Sequence, residues 1–147
     1  MTTETAASLR LSRTIAASPE EVFRAWTDPA EMKQWYCPEG GTVDVAEVDL
    51  AVGGRYKVAM RMPDGIHVAY GVYREIDPPR KLAFTWQWES GDGPKEGETL
   101  VTIELEERDG STELVLTHER FATAEARDGH EQGWASALNK LGARFGA

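Results

Sequence analysis

A chain of 147 residues is sized for one domain and should bury about 70% of its unfolded surface, enough for a sizeable core. Sixteen Lys and Arg against 25 Asp and Glu leave a net charge of -9, so no nucleic-acid binding is expected, and with no apolar run long enough to span a bilayer no membrane insertion is expected either. The single cysteine, Cys37, rules out an internal disulfide, and the start MTTETAAS has neither a basic region nor an apolar run, which predicts a cytoplasmic protein without a signal peptide.

Residues 1–7 are small and polar and read as a disordered tail, leaving residues 8–147 as the single domain. Ser8 to Ile15 alternates, with Leu9, Leu11, Arg13 and Ile15 on one side, and reads as a strand. Ser18-Pro19-Glu20-Glu21 opens a helix: a hydroxyl cap, proline in the first turn and acids at the positive end of the dipole. Asp28-Pro29 repeats the signal, predicting a second short helix to about Trp35. In Thr42 to Leu50 the apolar phase switches near Val45-Ala46, which a bulge would reconcile. Arg55 to Met62 places Tyr56, Val58, Met60 and Met62 together, and Pro63-Asp64-Gly65 is a hairpin turn. Ile66 to Ile76 carries Ile66, Val68, Tyr70 and Val72 on one face and His67, Ala69, Gly71 and Tyr73 on the other. After Asp77-Pro78-Pro79, Lys81 to Trp88 aligns Leu82, Phe84, Trp86 and Trp88. Ser90 to Glu98 is glycine-rich and acidic and reads as a mobile hairpin tip. Thr99 to Glu107 and Ser111 to Arg120, joined by Asp109-Gly110, complete the strands.

From about Thr123 to Phe145 the period becomes helical, with His130, Trp134, Ala137, Leu138, Leu141 and Phe145 as one stripe and Arg127, Glu131, Lys140 and Arg144 on the wet side. The order predicts an α+β fold: a curved antiparallel sheet packed on a long C-terminal helix, with two short helices after the first strand. A gap between such a sheet and its helix is a natural ligand site.

Several of these segments carry a resemblance. Ser18-Pro19-Glu20-Glu21-Val22-Phe23 with Ala25-Trp26-Thr27-Asp28-Pro29, then Trp35, Asp49-Leu50-Ala51-Val52-Gly53-Gly54-Arg55-Tyr56, Gly71 to Leu82 and His130-Glu131-Gln132-Gly133-Trp134 together resemble the activator-of-Hsp90-ATPase-homologue-like proteins. These are a branch of the START-like (SRPBCC) helix-grip superfamily, and the resemblance runs from about Leu9 to Phe145. It implies a seven-stranded sheet gripping a long C-terminal helix around an apolar cavity. It implies no particular reaction, and the additional N-terminal domain by which the eukaryotic cochaperone engages Hsp90 has no counterpart in this sequence.

The segment Gly129-His130-Glu131-Gln132-Gly133-Trp134 puts two glycines into a helix, each costing about 1 kcal/mol relative to alanine. Close packing of the helix is the simpler reason for them; room for a ligand beside Trp134 is the alternative. His130 reads first as a core histidine with satisfied nitrogens and second as a polar anchor in an apolar cavity. Glu47 divides evenly between a solvated strand face and a position in the cavity. The candidate ligand-binding set is Trp134, Leu138, Trp86, Met60 and Tyr56 as walls, with His130 and Glu47 as anchors. No two of His67, His118 and His130 are three or four apart, so no metal site is expected. Cys37 has no diagnostic partner and reads as a small filler. No cofactor motif and no Ser/His/Asp set is present.

Three functions remain. The first is binding of a small apolar molecule between sheet and helix. The second is a cyclase-, hydratase- or hydrolase-type enzyme, with His130 or Glu47 as general base and a tyrosine hydroxyl near an oxyanion. The third is a chaperone-partner or interaction module using the acidic surface. A homodimer through a sheet edge is left open.

Overall fold

The computed structural model describes residues 7–89 and 98–146. The expected tail and the expected mobile tip therefore fall largely outside the described residues, although Ala7 already belongs to the first strand. In chain order the elements are β1 (Ala7–Ile15), α1 (Pro19–Thr27), α2 (Pro29–Met32), β2 (Thr42–Val48), β3 (Arg55–Met62), β4 (Gly65–Asp77), β5 (Lys81–Trp88), β6 (Thr99–Arg108), β7 (Ser111–Phe121) and α3 (Ala124–Arg144). All seven strands form one antiparallel sheet in the order β1-β7-β6-β5-β4-β3-β2. Hairpins carry the chain from β2 through β7, and β7 pairs back onto β1.

The helix starts follow the caps in the sequence. Ser18 Oγ accepts from the Glu21 N–H while Glu21 Oε1 accepts from the Ser18 N–H, a reciprocal capping box. Asp28 caps α2 through the Ala30 N–H, and Thr123 caps α3 through the Ala126 N–H. The second helix is one turn long, and Lys33 to Cys37 continue as turns and a bend. This places Trp35 and Tyr36 in the core, with the Trp35 indole N–H donating to Ala25 O at 3.0 Å.

The bulge lies slightly earlier than the sequence suggests, between Val43 and Val45. It lets Val43, Ala46 and Val48 stand opposite Met60, Val58 and Tyr56, all on the inner face, while Val45 turns outward and is 39% exposed. In β4 the inner face is the one carrying Ala69, Gly71 and Tyr73, which are buried; Ile66 is exposed on the outer face. At Gly71 the close approach of β5 leaves no room for a side chain: an added Cβ would lie 2.1 Å from Thr85 O. The inner face of the sheet, α1 and one stripe of α3 bury a single core that includes Trp26, Phe84, Ile103, Leu116, Leu138 and Leu141. Helix α3 lies chiefly over β1, with its C-terminal end tied to α2 by the Arg144–Glu31 ion pair at 2.8 Å.

Candidate functional site

Beside the first half of α3 the core is not filled. A recess of about 430 Å³ opens there, within the size range of small-molecule sites. Its floor is buried and largely aromatic: Tyr36, Trp86 and Trp134, with Cys37, Met60 and Ala137. Its middle wall is half-buried and comes from Pro38, Trp88, Ala126, His130 and Gly133, and its rim from the exposed Thr123, Glu125 and Gly129. The aromatic rings brace one another. Tyr36 stacks on Trp86 at 6.4 Å between centroids, Trp86 meets Trp134 at 5.2 Å and stands edge-on to Trp88 at 5.4 Å.

The polar groups of this wall pair with each other. An indole N–H can only donate, so the ring nitrogen facing it must accept. The Trp134 N–H donates to His118 Nδ1 at 3.0 Å, which puts the His118 proton on Nε2, 2.7 Å from Thr99 Oγ1. Thr99 Oγ1 passes its own hydrogen to Trp86 O at 2.9 Å. In parallel, the Trp88 N–H donates to His130 Nε2 at 3.0 Å, so His130 Nδ1 carries the hydrogen directed at Ala126 O, 2.8 Å away. The two imidazoles meet edge to face at 5.2 Å. Burial, reinforced by the neighbouring His130, lowers the His118 pKa from 6.5 to about 2. Burial likewise pushes the Tyr36 and Tyr56 hydroxyls well above the usual phenol range. The Trp86 indole N–H is buried without a partner.

Of the residues singled out from sequence, the recess gathers Trp134, His130, Trp86 and Met60. Leu138 and Tyr56 sit elsewhere. Leu138 is wholly buried in the core, and Tyr56 is held by its hydroxyl on Thr85 O. Glu47 is exposed opposite Lys57 on the outer side of the sheet, because the bulge turns Ala46 and Val48 inward instead. His118 and His130 come together although nothing in their spacing announced it, and the Trp88 ring lies 6.2 Å from His67 and 5.9 Å from His130. Among the described residues no group of three His, Cys, Asp or Glu could hold a metal ion.

The sequence reading missed Tyr36, Cys37, Pro38, Trp88 and the rim as lining. The aromatic run Trp35-Tyr36 and the shared face of Trp86 and Trp88 were the available signals. Cys37 is more than a filler, since Lys140 Nζ donates to its carbonyl at 3.1 Å and approaches Sγ at 3.3 Å. Lys140 thereby leaves the wet side assigned to it. The two glycines do not serve close packing. A Cβ at Gly129 would meet nothing within 4 Å, and one at Gly133 only Pro38 Cγ at 3.6 Å.

A curved antiparallel sheet gripping a C-terminal helix, with an aromatic recess between them, defines a START-like helix-grip domain. The chain belongs to the activator of Hsp90 ATPase homolog 1-like family, whose profile matches residues 16–146. It is similar in structure to a protein from Chromobacterium violaceum, at 30% identity and a TM-score of 0.85 over 95% of this chain and 97% of that one. An AHSA1 protein from Silicibacter pomeroyi is 33% identical, with a TM-score of 0.82 over 94% and 96% of the two chains. A protein from Rhodobacter sphaeroides is 27% identical, with a TM-score of 0.78 over 93% and 91%. A search of curated proteins returned no match. No helix among the described residues is long and apolar enough to cross a membrane.

Proposed function

We propose that this protein binds a small, uncharged, largely aromatic molecule in the recess between α3 and the sheet. The observation that carries the reading is a hollow of about 430 Å³ walled by Tyr36, Trp86, Trp88 and Trp134, whose histidines are occupied by those same indoles. At the packing density of protein interiors such a volume takes roughly fifteen to twenty non-hydrogen atoms. Neither imidazole is positioned as a counter-ion: His118 stays neutral by burial, and both His130 nitrogens have partners. The same pairing weighs against acid–base chemistry at His130, and Glu47 is on the wrong side of the sheet to act as a general base.

The direct test is titration with 6-propionyl-2-(dimethylamino)naphthalene, a neutral fluorescent probe of suitable size, read by probe emission and quenching of tryptophan fluorescence. Saturable binding that weakens when Ala137→Leu fills the floor is expected. A probe that stays in water at all protein concentrations would remove the reading. The cochaperone role suggested by the family's description is tested separately, by adding the protein to a bacterial Hsp90 and measuring ATP hydrolysis.

A further inference from the structure

We propose that Gly129 and Gly133 form the sill over which a ligand passes into the recess, and that they set the girth of what is admitted. The proposal rests on reading the recess as a ligand site.

Exposure falls steadily from one side of the recess to the other. Thr123, Glu125 and Gly129 are exposed, Gly133 and Pro38 are half-buried, and Trp86 and Trp134 are buried. The opening is therefore along the flank of α3, where the two glycines lie one helical turn apart on the same face. Neither glycine is demanded by its surroundings. Both lie within the α-helix, where alanine is better by about 1 kcal/mol at an interior position. Space does not demand them either: the site of a Cβ at Gly129 is open, and at Gly133 it is an ordinary contact from Pro38. What a longer side chain would do at either position is project from the helix into the mouth of the recess.

Behind the sill the recess is deep and apolar: its floor is the mutually packed rings of Tyr36, Trp86 and Trp134, with Met60 and Ala137. The ligand class that follows is a flat, neutral, largely aromatic ring system, slim enough to slide between α3 and the Tyr36-to-Pro38 segment.

The test is stopped-flow association of the full chain with 6-propionyl-2-(dimethylamino)naphthalene. Gly129→Leu and Gly133→Leu are expected to slow association and dissociation together by about tenfold or more, whereas Glu20→Gln, on the exposed start of α1 and outside the recess, keeps both rates within about twofold of the parent. Circular dichroism and thermal melting establish that each variant is folded, and Gly129→Met and Gly133→Met, with long side chains that suit a helix, carry the comparison if the leucine variants are not. Folded leucine variants that bind at parental rates would overturn the proposal by placing the entrance elsewhere. Weaker binding with unchanged association would also overturn it, by making the glycines part of the floor. Absence of binding by the parent would instead remove the ligand-site reading, and the sill with it.

Discussion

His118 is wholly buried, and its ring is fixed by two hydrogen bonds, of which the one that Nδ1 accepts from Trp134 requires the neutral form. Its pKa of about 2 in the fold lies below the 6.5 of the free side chain. Below pH 6.5 the unfolded chain therefore binds a proton that the folded chain refuses, so this group's contribution to stability is lost as pH falls. The slope approaches about 1.4 kcal/mol per pH unit below that point and vanishes above it. Urea melts at about pH 7 and about pH 5 should show a loss from this group of about 2 kcal/mol, absent in His118→Gln; parallel losses in both proteins would disprove the assignment. A second comparison isolates the indole pairing. Trp134→Phe and Trp86→Phe both shrink an indole to a phenyl ring in the same aromatic cluster. The first strands a buried imidazole acceptor, while the second removes a donor that already lacks a partner. Trp134→Phe should be the more destabilising by about 1–3 kcal/mol, measured by denaturant unfolding.

At the level of the elements, the two kinds of glycine separate. Gly71→Ala drives a Cβ to 2.1 Å from Thr85 O and 2.6 Å from its Oγ1, with backbone on one side of the clash. The β4–β5 pairing has to open to admit it, at a cost of about 3 kcal/mol or more. Gly129→Ala should instead raise stability by up to about 1 kcal/mol, since it adds helix propensity in open space. A thermal melt of the two variants should move in opposite directions. Strand and helix positions were legible in the sequence because their periods and caps are local: Ser18 and Asp28 cap as their spacing suggests, and α3 starts where the helical period begins. Which face of β4 turns inward was not legible. Its outer face bears Ile66, Val68, Tyr70 and Val72, as apolar as the inner one. The inner face needs the small Ala69 and Gly71 where β5 comes close, a demand set by the neighbouring strand and invisible in the hydropathy of β4 itself.

For the whole molecule, the fold was legible because the ordered elements admit few layer arrangements, whereas the site was legible only in part. The stripe of α3 and the inner parity of β3 and β5 brought forward His130, Trp134, Met60 and Trp86. The segment Tyr36 to Pro38 follows no period, and it reaches the recess only because the one-turn α2 stops at Met32. The His118–His130 contact joins β7 to α3, which no spacing rule anticipates. The charged groups around the recess lead to a prediction about selectivity. Glu125 stands at the rim, none of the described residues lining the recess is a lysine or arginine, and Lys140 is engaged by Cys37. A carboxylate entering the recess would thus meet an acid first and no uncommitted cation after it. A neutral aromatic ketone present at a hundredfold excess over its dissociation constant should stabilise the fold by about 2.7 kcal/mol and raise the melting temperature accordingly. 2-Naphthoate, of similar shape but charged, should leave the melting temperature unchanged at the same concentration. A naphthoate that stabilises as well as the ketone would mean that Lys140 abandons Cys37 to receive it, and the melting shift should then disappear in Lys140→Gln.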